Sequence, residues 1–232
     1  IVLDFFAGSG TTGHAVFNWC SGRKPARFIL VQLQENLADS LAVTSDPGAK
    51  LVLQNGIDFL EKLGRLPLLS ELTKIRLKKA SLIHKESTYS NGCAIDSGFR
   101  VLTVESSNMA DVYYVPDSLD VDKLDLFVDN IKPDRTPEDL LFQVMLDWGV
   151  DLALPIAKQS IQGKDVFFVD GNALAACFDA SGSIDEAFVK ELAKHQPLRV
   201  VFRDAGYKNS AVKINVEQIF KLLSPATEVK CI

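Results

Sequence analysis

An α/β fold is predicted for this 232-residue chain by three observations. The apolar run Ile1-Val2-Leu3 leads through Asp4 into Gly8-Ser9-Gly10-Thr11-Thr12-Gly13 and then into the apolar-rich stretch from His14 to Trp19, which reads as strand, glycine turn and helix. A second continuous apolar run, Phe28-Ile29-Leu30-Val31, has the character of a strand buried on both faces, as in a parallel sheet, and completes a βαβ unit. The second half of the chain alternates strand and helix signals to its end, the pattern of a small α/β domain.

After the second strand the sequence turns polar. Asp39, Ser40, Ser45, Asp46, Pro47 and Gly48 predict a loop or mobile segment over 35–50. Residues Ser70 to Ile83 read as a helix, because Leu68, Leu72, Ile75 and Leu82 recur at helical spacing. Its outer face carries Lys74, Arg76, Lys78 and Lys79, either a solvated face or a contact for DNA phosphates. The Ser-, Asn- and Gly-rich stretch Ser87–Gly98 is read as a boundary between residues 1–90 and 91–232, though an ordinary surface loop has the same composition.

Beyond that boundary the charge changes sign, with twelve Asp or Glu against three Lys or Arg in residues 104–151, a stretch ill suited to lie on phosphates. Thr136-Pro137-Glu138-Asp139 is a helix start: a cap, a proline at the first helical position and an acid three residues after the cap. Leu140, Leu141, Val144, Met145 and Trp148 give that helix an apolar face, and Gly149 ends it. Val166–Val169, the turn Asp170-Gly171-Asn172 and Ala173–Phe178 predict a hairpin. A helix over Ile184–Ala193, a strand over Leu198–Phe202, a helix over Ser210–Leu222 and a strand over Glu228–Cys231 complete the chain.

Composition removes whole classes. A hydrophobic content of 47% excludes global disorder, and 25 basic against 30 acidic residues leave a net charge of −5, so no overall basic field argues for nucleic acid. The four cysteines form no CxxC pair, which disfavours a zinc module or disulfide scaffold and fits reduced thiols in the cytoplasm. No apolar run approaches the ~20 residues of a membrane span, and no signal peptide opens the sequence. Ile1 starts inside an apolar run without a methionine, as expected of a piece of a longer polypeptide. His14, His84 and His195 are isolated, without metal-ligand spacing. Ser9 lacks the wider context of a hydrolase nucleophile.

The glycine turn carries the chemistry. A strand that enters Gly-x-Gly and then a helix brings bare backbone amides and a positive helix end up to a ligand. The spacing satisfies GxGxxG, so a nicotinamide or flavin dinucleotide is one candidate. A P-loop is excluded because His14-Ala15 stand where it needs Lys and then Ser or Thr. Asp4, four residues before the first glycine, suits a ligand with a cationic amino-acid end and would sit badly beside a pyrophosphate. That favours S-adenosylmethionine, with a simple turn cap as the alternative role for Asp4.

The string Asp4-Phe5-Phe6-Ala7-Gly8-Ser9-Gly10-Thr11-Thr12-Gly13 resembles the S-adenosylmethionine motif DxFxGSGTT of the amino-methylating DNA methyltransferases. Arg27–Leu33, the basic Leu72–Leu77 stretch, Gly98–Val101 leading to Ser106-Ser107-Asn108, and Glu138–Phe142 are similar to one branch, the modification (Mod) subunits of type III restriction-modification systems. The resemblance implies an incomplete Rossmann-like sheet of an S-adenosylmethionine-dependent methyltransferase, followed by a small α/β C-terminal domain. It implies cofactor contacts from Asp4 and Phe6 to the methionine part, from the loop at Ala7, Gly8 and Gly10, and from Thr11 at the helix start. Gln32, first, or Glu35 would take the ribose hydroxyls. Implied partners are DNA, a second copy of the subunit and a restriction (helicase-nuclease) subunit, with the acidic tail as a protein-contact module; the implied location is the cytoplasm.

Methyl transfer to adenine also needs acceptors for the exocyclic amine and an aromatic face for the flipped base, supplied in this class by Asp-Pro-Pro-Tyr. No such tetrapeptide occurs here: Asp46-Pro47-Gly48 lacks the second proline and the aromatic. No catalytic or metal-binding residue is therefore assigned, and the chain alone is expected to be inactive. An NAD-dependent oxidoreductase fragment and a non-catalytic assembly domain are the competing readings.

Overall fold

Two three-residue strands, β1 (Val2–Asp4) and β2 (Phe28–Leu30), pair in parallel with Val2 opposite Phe28 and Asp4 opposite Leu30. The helix α1 (Thr11–Cys20) connects them, so the βαβ unit forms as its glycine turn and apolar runs predict. The computed structural model describes residues 1–20, 26–89, 96–110 and 129–232, which cluster as two compact units, Ile1–Thr103 and Val104–Ile232. Half of the expected boundary at Ser87–Gly98, with Cys93, and part of the acidic stretch fall outside the described residues.

Two expectations for the first unit are corrected. The segment 35–50 is not a loop: α2 (Leu37–Val43) and α3 (Pro47–Lys62) occupy it. Two of its polar residues are helix caps. Asn36 Oδ1 accepts from the Ala38 amide at 2.9 Å, and Asp46 Oδ2 accepts from the Ala49 amide at 2.6 Å with Pro47 at the first helical position. Leu37, Ile57 and Leu60 bury against Leu41, Leu53, Leu69, Leu72 and Ile75. The second correction concerns β2, which is not buried on both faces. Ile29 is 52% exposed, because its side chain lies on the face opposite Phe28 and Leu30, and of the two faces only theirs packs into a hydrophobic cluster among the described residues.

Helix α4 (Leu69–Tyr89) follows, longer than the predicted span. Leu77 and Ala80 of α4 pack with Phe17 of α1 and with Phe28 and Leu30 of β2. Leu82, read from spacing as an inward residue, is 53% exposed.

The second unit is a five-stranded sheet in the order β3 (Ile156–Ile161), β4 (Lys164–Val169), β5 (Leu174–Cys177), β6 (Arg199–Phe202), β7 (Glu228–Cys231). The β3–β4 and β4–β5 pairs are antiparallel; β5–β6 and β6–β7 are parallel. Successive residues of each strand feed opposite faces. On one face, Val166, Phe168, Ala175, Cys177, Val200 and Phe202 meet α6 (Glu186–Ala193) and α7 (Ser210–Leu223). On the other, Phe167, Val169, Leu174, Ala176 and Val201 meet Leu140, Leu141, Val144 and Met145 of α5 (Pro137–Asp147). Burial on both faces is why β5 and β6 read as continuous apolar runs. The predicted hairpin, helices and strands of this half are all present; β3, with Ala157-Lys158-Gln159-Ser160 exposed on the sheet edge, went unpredicted.

Candidate functional site

The glycine loop between β1 and α1 is gathered from three directions by four side chains. Gly8 and Gly10 adopt φ of +54° and +79°, conformations in which a side chain would be strained. The Asp4 carboxylate folds over the start of the loop, with Oδ1 accepting from the Phe6 amide at 3.0 Å and Oδ2 from the Thr12 hydroxyl at 2.5 Å. From beyond β2, Gln32 Oε1 accepts from the Gly8 amide at 2.7 Å. From α4, the Thr73 hydroxyl donates to the Gly8 carbonyl at 2.5 Å, and Arg76 Nη1 donates to Ser9 Oγ at 2.7 Å and Thr11 Oγ1 at 2.8 Å.

This corrects the reading of Arg76 as part of an outer basic face. It turns back to the loop, while Lys74 pairs with Glu71 at 2.5 Å and Lys79 lies 5.2 Å from the centre of the Phe59 ring. Gly13 has a different role from the loop glycines. A Cβ there would lie 2.6 Å from Leu77 Cδ2 and 3.0 Å from Leu30 Cδ1, so its bare backbone lets α1 close on α4 and β2.

The loop's ligand-binding capacity follows from what remains. The first amides of α1 lack intrahelical acceptors by construction, and the helix end is partially positive. An ionised carboxylate has about four acceptor positions, so Asp4, with one bond on each oxygen, keeps capacity for a cation. A Cβ on Gly8 would meet nothing closer than the Phe6 carbonyl at 3.8 Å, which leaves that side of the loop open, and Phe6 itself is 88% exposed. Ala7 is buried under the loop. Glu35 is exposed, with Oε1 accepting from the Ser40 hydroxyl at 2.9 Å. The structure thus brings Asp4, Ala7, Gly8, Gly10, Thr11 and Gln32 together at one bend. Sequence reasoning missed Thr73 and the inward course of Arg76. The i, i+3 spacing that puts both on one helix face is visible in the sequence, but not what that face meets.

A pocket of about 300 Å³ adjoins the loop, lined by Ser9, Phe59, Leu72, Ile75, Arg76 and Lys79. Among the described residues no group of three His, Cys, Asp or Glu side chains converges on a metal position, and no described helix is long and apolar enough to cross a membrane. Cys20, Cys177 and Cys231 are free thiols.

A strand-borne acid, a GSGTT loop and a parallel βα-crossover on these residues accompany similarity to the modification subunits of type III restriction-modification enzymes, the class that the motifs resemble. One relative is the EcoP15I Mod subunit of Escherichia coli, to which the chain is 27% identical over 226 residues, 95% of its own length. The chain spans 30% of the length of that protein. No protein-family model matches the chain.

Proposed function

We propose that this chain carries the methyl-donor site of a DNA methyltransferase of type III Mod character, one that methylates the exocyclic amine of adenine in DNA. The observation that carries the reading is the ordered bend at Asp4–Gly13, with its DxFxGSGTT sequence, in a chain similar to a Mod subunit along nearly all of its length. Residues 1–90 are read as part of a Rossmann-like sheet and 91–232 as a tail domain for protein contacts.

S-adenosylmethionine, when bound, supplies an electrophilic methyl group on a sulfonium. Asp4 has acceptor capacity for the ammonium of its methionine part, with Phe6 beside it. The backbone of Ala7, Gly8 and Gly10 and the start of α1 at Thr11 line the approach. Gln32 is tied to the loop backbone at both ends of its amide, Oε1 accepting from the Gly8 amide at 2.7 Å and Nε2 donating to the Leu33 carbonyl at 3.2 Å, whereas the Glu35 carboxylate, with one bond from Ser40, keeps more lone pairs for hydroxyl donors. We therefore assign the ribose hydroxyls to Glu35 and the ordering of the loop to Gln32. Proton acceptance and base holding are not assigned to any residue here, since no Asp-Pro-Pro-Tyr is present. DNA, a second copy and a restriction subunit are the proposed partners of the whole protein, in the cytoplasm.

Calorimetric titration with S-adenosylmethionine and with NAD tests the reading. Binding of the first and not the second is expected, with no label transferred to adenine-containing DNA by the chain alone. NAD binding in preference would replace the reading with the oxidoreductase alternative.

A further inference from the structure

Arg76 is placed where a charge alone would not put it. Its guanidinium sits at the first turn of α1, whose end is already positive, so the contact gains nothing from the helix dipole. What it does gain is geometry: a single Nη1 reaches two hydroxyls, Ser9 and Thr11, that flank the left-handed Gly10. Three residues back on the same face of α4, Thr73 donates to the Gly8 carbonyl, while Gln32 receives the Gly8 amide from the opposite side. The Gly8 residue is thus gripped at its N–H and its C=O, and the next two side chains with hydroxyls are gripped by Arg76. Leu77, one residue further along, is pressed against Gly13. A loop with two glycines has many conformations in the absence of such ties, and a ligand that binds it must order it.

We propose that Arg76 is a positioning residue of the donor site: with Thr73 it clamps the glycine loop from α4 in the shape that receives the methyl donor, rather than facing DNA phosphates. This rests on the donor-site reading above. A lysine substitutes only in part, because the two N–H groups of Nη1 are held at fixed angles in the guanidinium plane, whereas an ammonium donates from a rotating, more strongly hydrated end on a flexible stem.

The test uses the full chain, S-adenosylmethionine calorimetry and hydrogen exchange over the peptide 7–14. Arg76→Ala is expected to weaken binding about tenfold and to speed exchange over 7–14, with exchange in α5 and β4 unchanged; Arg76→Lys falls between. Ser9→Ala, which leaves α4 intact and carries the test if Arg76→Ala fails to fold, is expected to weaken binding about threefold. The double variant is expected to be no worse than Arg76→Ala. Equal binding and equal exchange in Arg76→Ala overturn the proposal alone, as do fully additive losses in the double variant. A wild-type chain that binds no S-adenosylmethionine overturns the donor-site reading and this proposal with it.

Discussion

Gly13 and Leu77 meet so closely that one added methyl on Gly13 would lie 2.6 Å from the leucine's Cδ2. Overpacking of this kind costs about 1–3 kcal/mol, partly offset by the ~1 kcal/mol that alanine gains over glycine inside a helix. Gly13→Ala is therefore expected to destabilise the first unit by about 1 kcal/mol and lower its Tm by roughly 4–8 °C. Leu77→Ala alone should cost about 2–5 kcal/mol and clearly less on the Gly13→Ala background. Additive losses in that cycle would show that the contact is not limiting.

Asp4 separates a turn cap from a charge partner. Asp4→Asn keeps a carbonyl for the Phe6 amide or the Thr12 hydroxyl while removing the negative charge. Melting should shift little. Affinity for S-adenosylmethionine should fall about tenfold, the equivalent of ~1.4 kcal/mol, if the carboxylate faces the donor's ammonium. Unchanged affinity would leave Asp4 only its role in the turn.

The start of α5 gives a pH dependence. Asp139 accepts from the Thr136 amide and hydroxyl at 2.8 Å each, and Thr136 Oγ1 receives the Asp139 amide at 3.2 Å, a reciprocal cap. The Thr136 amide, and then its hydroxyl, hold the Asp139 carboxyl below its ordinary value. A depressed native value means the stabilisation is complete above the unfolded-state value of about 3.9 and is lost as pH falls through the native one. Thr136→Ala should cost about 0.5–2 kcal/mol at pH 7 and less at pH 3, read from urea midpoints at the two pH values.

Burial pushes the Cys177 thiol up to about 11, above all by desolvation between the sheet and α6–α7. At neutral pH almost none of it is thiolate, the reactive form. Alkylation at pH 7.5 followed by peptide mapping should find Cys177 unmodified in the folded chain and fully modified in urea. Rapid labelling under native conditions would mean that the second unit opens far more readily than its core suggests.

Much of the fold was legible where one local rule had no competitor. Thr136-Pro137 fixes the start of α5, and Leu174–Cys177 and Val200–Phe202 are apolar on consecutive positions because both sheet faces are covered. Asp46-Pro47-Gly48 pointed to a loop because the same residue types that favour turns also cap and start helices, as Asp46 does for α3. The strand β3 was missed because an edge strand exposes polar residues and shows no clean alternation. Of the site, Asp4 and the loop glycines are local and were visible. The bonds from Gln32 and Thr73 to Gly8 span 24 and 65 residues, and helical periodicity cannot tell which of four neighbouring basic residues will turn inward.

Two paired strands of three residues each are too small to persist in water without support. Their support is α4, which with Phe17 of α1 packs on Phe28 and Leu30 of β2 through Leu77 and Ala80 and holds the adjoining bend through Thr73 and Arg76. The first unit therefore has one keystone: whatever lifts that helix dissolves the miniature sheet and the bend in the same event.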